Sequence, residues 1–105
     1  VKEAWIENKE GNFVKATAET AAEGLSKIVL DDKLRGANGN PEGENSYPIV
    51  SLTWMLVEPG YKSEAIKPML TYMLDDKAQK KADSLGYVPL PDNIKQKALD
   101  AVESL

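Results

Sequence analysis

Ile66, Met69, Leu70, Met73 and Leu74 recur at helical spacing and set five large apolar side chains along one face. Burying such side chains stabilises a fold by roughly 1.5 to 3 kcal/mol each, on the order of 10 kcal/mol together as an upper figure, which rivals the net stability of a domain. The stripe therefore has to dock on something. Two further stripes follow it, Ala78, Ala82 and Leu85, then Ile94, Ala98, Ala101, Val102 and Leu105. Upstream, Ala18, Ala21, Ala22, Leu25, Ile28 and Val29 predict an amphipathic helix over 17–30, with Thr20 and Glu23 matching a capping box. Gly24 inside it costs roughly 1 kcal/mol against Ala unless another backbone packs closely there.

Strand-forming sequence is scarcer. Residues 47–57 are rich in β-branched and aromatic side chains, with Pro48 near the start where a missing N–H is tolerated, and read as a strand largely buried at its far end. Residues 1–6 read as a short strand, followed by a turn over 8–12 containing Gly11. Between α-helical and strand-like segments, 31–46 carries Gly36, Gly39, Pro41 and Gly43 among Asn and acidic residues, the composition of a long connecting loop and a natural boundary between 1–46 and 47–105. Pro59-Gly60 signals a turn, Ser63 a cap for the helix after it, and Pro68 fits that helix's first turn. Asp76 reads as the next N-cap, Gly86 as a C′ residue, 87–91 as extended, and Pro91 as near N1 of the last helix. The order is strand, helix, loop, strand, three helices. One strand pair cannot cover four apolar helix faces, so the class is α/β with the main sheet expected from sequence outside this chain.

A length of 105 residues suits one compact unit or a piece of something larger, and 42% apolar with 29% charged residues is the balance of a globular protein. A formal charge of -4 disfavours nucleic acid, which needs clustered Lys and Arg. With neither Cys nor His, thiolate chemistry, the common zinc sites, the usual catalytic triads and the commonest general base are all absent, and the chain reads as no enzyme, with no cofactor or metal. No window is long and apolar enough to cross a membrane, and 1–3 lack the start of a signal peptide, so any export would be directed by sequence not present here.

Each chemical constellation has a plainer reading beside it. The run from Gly36 to Gly43 resembles a phosphate cradle in glycine content, but it leads into a strand rather than a helix N-terminus, and Glu42 and Glu44 would repel an anion. It reads as a surface connection. Asp75 and Asp76 are adjacent and so diverge on a helix, which suits helix termination and capping better than paired carboxylate chemistry. The acidic residues from Asp31 to Glu44 lack the pattern of a calcium loop. Lys62, Lys67, Lys77, Lys80 and Lys81 form a locally basic, solvated face. Trp5 and Trp54 read as core more readily than as stacking platforms.

The run Asn40-Pro41-Glu42-Gly43-Glu44-Asn45-Ser46-Tyr47-Pro48-Ile49-Val50-Ser51-Leu52-Thr53-Trp54 resembles a stretch of the PstS family, the periplasmic phosphate-binding proteins of ABC transporters. Leu85-Gly86-Tyr87-Val88-Pro89-Leu90-Pro91 resembles that family's C-terminal signature, and Asn8-Lys9-Glu10-Gly11-Asn12-Phe13-Val14 an upstream segment. Ala16 departs from the proline often found before Thr17. The resemblance implies the C-terminal part of a two-lobed, type II periplasmic-binding-protein fold, a mixed sheet flanked by helices. Residues 1–46 would end the second lobe; 47–105 would cross the hinge and return to the first. It further implies an extracytoplasmic, periplasmic or cell-surface receptor that delivers inorganic phosphate to an ABC transporter permease. The grip on phosphate is expected upstream of Val1, in the N-terminal part of the same protein, because no residue here, Arg35 included, matches the family's ligand motifs. This segment would supply hinge and scaffold. A receptor for sulfate, molybdate or tungstate, and a stand-alone protein-interaction module, remain open alternatives at this stage.

Overall fold

The computed structural model describes residues 1–58 and 60–105; the Pro59 half of the expected Pro59-Gly60 turn lies outside the described residues. The chain begins with a hairpin, β1 (Ile6–Glu7) antiparallel to β2 (Phe13–Val14), in the register Ile6↔Val14 and Glu7↔Phe13. The turn expected over 8–12 is present, with Gly11 at φ 83° in the left-handed region that glycine adopts without steric cost. The strand expected over 1–6 shrinks to its last residue and shifts towards Glu7, since only Ile6 and Glu7 have partners across the turn; Trp5, expected in the core, is 61% exposed.

Helix α1 (Ala18–Ser26) starts at a Thr17 cap whose hydroxyl accepts from Thr20 N, while Thr20 Oγ1 accepts from Thr17 N. The capping box is therefore Thr17 with Thr20, not Thr20 with Glu23. The helix also stops short of the expected 17–30. Beyond Lys27 the chain has no regular structure, and alternation buries Ile28 and Leu30 while Val29 is 83% exposed. A continued helix could not point Ile28 and Leu30 into one core, because helical neighbours two apart face different ways. Gly24 does need its missing side chain: a Cβ there would stand 2.9 Å from the Tyr47 carbonyl oxygen.

Residues 47–57 form no strand, which corrects the sequence reading. Among the described residues 49–57 make no backbone–backbone hydrogen bond, and Trp54, Met55 and Leu56 are exposed rather than buried. The side-chain pattern is strand-like, with Val50 and Leu52 turned inward and Ile49, Ser51 and Thr53 outward, but among the described residues no neighbouring strand pairs with it. Its sheet, among the described residues, is the two-stranded hairpin alone. The larger mixed sheet is not made by these residues.

Three helices complete the chain: α2 (Ile66–Met73), α3 (Asp76–Ser84) and α4 (Asp92–Glu103). Ser63 does not cap α2 as expected; it bonds Ala65 N through Oγ and Ile66 N through its carbonyl, one turn too early. Pro68 does fall in the first turn. The cap of α3 is Asp75, whose carboxylate accepts from Ala78 N at 2.8 Å, with Asp76 displaced to the first helical position. Gly86 closes α3 as expected: at φ 86° it donates to the Asp83 carbonyl while Tyr87 N reaches the Ala82 carbonyl, the paired bonds of a Schellman ending. Pro91 is the residue before α4, one earlier than N1.

The core joins Leu25, Ile28 and Leu30 to Ile94 of α4, with Val50, Leu52, Val88 and Leu90 packed around them. Asn93 Nδ2 to the Ser26 carbonyl (2.9 Å) and Lys97 Nζ to the Leu30 carbonyl (2.9 Å) bind α4 to the exit of α1, the first satisfying a carbonyl that the helix end leaves unpaired. The stripe of α2 is only partly covered: Leu70 is buried, whereas Met69 and Met73 stay exposed. A radius of gyration of 15.3 Å exceeds the about 13 Å typical of a compact domain of this length, which is how uncovered helix faces show in the overall dimensions. Among the described residues no helix is long and apolar enough to cross a membrane.

Candidate functional site

The glycine-rich loop folds back onto the hairpin through Asn8, Lys9 and Asn12. Asn8, buried just after β1, turns its amide nitrogen to the carbonyls of Gly43, Glu44 and Ser46 at 3.2, 2.8 and 3.3 Å, while its Oδ1 accepts from Glu10 N and Asn12 N. Ser46 is fully buried and donates to the Glu42 carbonyl, and Tyr47 N donates to the Thr20 carbonyl. The sequence reading missed Asn8. An Asn directly after a strand and three residues before a turn glycine is the signal that was available, since this side chain can bond its own turn and still reach a second loop.

This arrangement leaves no anion cradle. Gly43, at φ 122°, faces the Glu23 carboxylate, Gly36 lies against the Val29 carbonyl, and Glu42 forms an ion pair with Lys9 at 2.9 Å. The Lys9 ammonium, by its hydrogen bond and its charge, holds the Glu42 carboxyl below the usual carboxylate range. A phosphate entering here would meet two carboxylates and backbone already committed to other bonds.

Arg35, Asp75, Asp76 and Lys67 are likewise held by partners within the chain. Asp31 accepts from Lys33 N, Arg35 N and Arg35 Nε, with the Arg35 Nη2 at 2.8 Å, so the chain's single arginine is folded onto its own loop. The Arg35 backbone N–H, followed by its side chain, lowers the Asp31 pKa. Asp75 caps α3, and Asp76 pairs across to Lys95 of α4 at 2.7 Å, which lowers the aspartate and raises the lysine. Lys67 reaches the α4 end through the Glu103 carbonyl and carboxylate at 3.0 and 3.2 Å. The two aspartates are thus brought near each other without sharing a site, and the two basic residues that line one groove, Lys62 and Lys67, share it with Glu58, Glu64, Asp75 and Glu103. Among the described residues no cluster of carboxylates is arranged to hold a metal ion.

What does converge is apolar. A groove of about 1070 Å³ opens between the extended segment 49–57 and helices α2, α3 and α4, lined by Leu52, Met55, Leu70, Met73, Val88 and Val102 among others. Its floor is the core and its mouth is bordered by unpaired backbone, so its chemistry is that of a surface for strands or apolar side chains rather than for a small anion.

No family model matches the chain. The phosphate-binding protein PstS of Methanocaldococcus jannaschii is 33% identical over 118 aligned residues, a span that takes in 97% of this chain and 30% of that protein. The chain therefore spans about a third of the length of the curated relative it matches.

Proposed function

We propose that this chain is part of a PstS-type receptor, an extracytoplasmic binding protein that carries inorganic phosphate to an ABC transporter permease, and that within it these residues act as scaffold and hinge rather than as ligand contacts. The similarity to a phosphate-binding protein across 97% of the chain is the observation that carries the reading. The inventory of side chains supports the division of labour. Arg35, Lys95 and Lys67 are each held by a carboxylate, and the glycine-rich loop carries Glu42 and faces Glu23 of α1 where an anion cradle would present N–H groups. A receptor selects its oxyanion by preorganised donors and charge-assisted bonds, and those belong, in this proposal, to sequence upstream of Val1.

The apolar groove fits the same reading. Segment 49–57 has strand alternation without a strand partner, and α2 to α4 carry faces this chain leaves open. In the proposal strands from the rest of the receptor pair with 49–57 and cover those faces. Residues 1–46 then complete one lobe, and 47–105 cross back to the other. The activity is binding and delivery, with no catalytic step.

Calorimetric titration of inorganic phosphate tests the division. The 105-residue chain alone is expected to give no binding heat. A polypeptide that joins it to the part of the receptor it does not span is expected to bind phosphate in preference to sulfate and molybdate. Saturable binding by the 105 residues alone, or preference of the joined protein for another oxyanion, would overturn the proposal.

A further inference from the structure

The segment 49–57 is fastened unevenly. Its root is nailed to α1: Tyr47 N bonds the Thr20 carbonyl, Asn40 N bonds the Pro48 carbonyl at 3.1 Å, and Gly24 lets the Tyr47 backbone approach α1 with no side chain between. Val50 and Leu52 then rest on the core formed by Leu25, Ile28, Leu30 and Ile94. The last attachment is Trp54, whose indole Nε1 donates to the Leu34 carbonyl at 2.7 Å. Immediately beyond it Met55 is half exposed and Leu56 is 94% exposed.

The acceptor is held in place by its own turn. Leu34 adopts φ 60°, an uncommon conformation for a branched residue, which persists only where surrounding bonds over-determine it. Here the Asp31 carboxylate accepts from Lys33 N and Arg35 N on either side of Leu34, Leu34 N bonds the Asp31 carbonyl, and Asp31 N bonds the Arg35 carbonyl. The closed turn fixes where the Leu34 carbonyl points, and the Leu34 side chain packs against the core beneath.

We infer that the Trp54 indole is a clasp and the Asp31–Arg35 turn its keeper: together they hold 49–54 as a strap over the core, and the chain is released at Trp54, eight residues after the loop ends at Ser46. The clasp is independent of the phosphate reading, because it needs only groups within this chain. It also gives the groove a movable border, since opening the strap would expose Leu25, Leu30 and Ile94 together.

Thermolysin cuts before large aliphatic residues and reports the two halves of the segment separately, because proteolysis of a local region follows the population of its opened form. In the 105-residue chain, cleavage before Leu56 is expected well ahead of cleavage before Val50 or Leu52. Trp54→Phe keeps the ring and removes the N–H; it is expected to speed cleavage before Leu52 about fivefold, the population change that one hydrogen bond of about 1 kcal/mol supports, with cleavage before Leu56 unchanged. Asp31→Ala, which removes the acceptor of Lys33 N and Arg35 N, is expected to act in the same direction from across the contact, and in a Trp5→Phe background it should shift the Trp54 emission to the red. Equal cutting before Leu52 and Leu56 in the parent chain would overturn the inference. So would unchanged strap cleavage in Trp54→Phe, an unmoved emission in Asp31→Ala, or acceleration that extends equally to Val102 in α4 and so reflects general loosening.

Discussion

The hairpin, α1 and the loop up to Ser46 contrast with segment 49–57 and α2. The first region buries Val14, Leu25, Ile28 and Leu30, and Asn8 by itself joins its turn to three carbonyls of the loop. The second is denser in apolar residues, yet Ile49, Met55, Leu56, Met69 and Met73 remain exposed. Apolar content and burial are thus decoupled. A polar loop settles when its donors and acceptors close on each other within the chain, whereas an apolar strand needs neighbours on both edges before its side chains leave water. In the first region the chain closes its own bonds; in the second it leaves apolar faces open.

The contrast would break most sharply at Asn8. Asn8→Ala leaves the Ser46 carbonyl and two turn amides without a partner and takes one of two donors from the Gly43 and Glu44 carbonyls, and is expected to cost about 2 to 3 kcal/mol in urea unfolding, the range for buried partners left unsatisfied. Gly24→Ala is expected to destabilise by about 1 to 2 kcal/mol although Ala is the better helix former, because the new methyl meets the Tyr47 carbonyl, which cannot swing aside as a side chain would. If either change were neutral, the first region would not be the ordered one.

Acid should weaken the chain more gently. Asp31, Glu42 and Asp76 have folded values below their unfolded ones, so the stability they contribute is present above the ordinary values of about 3.9 for Asp and 4.3 for Glu and is lost as pH falls through the depressed folded values. Urea midpoints are expected to be flat from pH 5 to neutrality and to decline below about pH 4. Lys95 runs the other way: its raised folded value makes its contribution complete below about 10.4 and lost only in stronger alkali. These pairs are exposed, so salt should diminish the effect. At the small end, Leu56→Ser should change unfolding stability by less than about 0.5 kcal/mol, as for other exposed positions. A larger loss would show that 55–57 is packed in solution.

Sequence reading fared by the same division. Gly86 was legible because a left-handed residue after a helix has few alternatives, and the helices from Ile66 onward were legible from their stripes. The caps were off by one or by three where two candidates satisfied the same local rule. Asp75 and Asp76 are chemically equivalent caps, and what separates them is the reach of Lys95 from α4 to Asp76, a contact between residues 19 apart. Thr17 wins over Thr20 because Thr20 is already committed, its hydroxyl to the Lys15 carbonyl at 2.6 Å and its own carbonyl to Tyr47 N. The strand over 47–57 was read from composition that is indeed strand-like, but pairing is a property of two segments, and the partner is not in these residues. Trp54 shows the same limit: its indole found a carbonyl 20 residues away at the surface instead of the interior. Of the candidate site, the carboxylates of the glycine-rich loop could be read in advance, while the commitment of Arg35 to Asp31 could be seen only once the turn was folded.

Binding of 1-anilinonaphthalene-8-sulfonate to the groove beside 49–57 measures the central dependence most directly. The account expects strong dye fluorescence from the 105-residue chain at neutral pH, falling to background when the chain is covalently joined to the rest of a PstS-type receptor. A 105-residue chain that binds no dye, or a joined protein that binds as much as the chain alone, would contradict it.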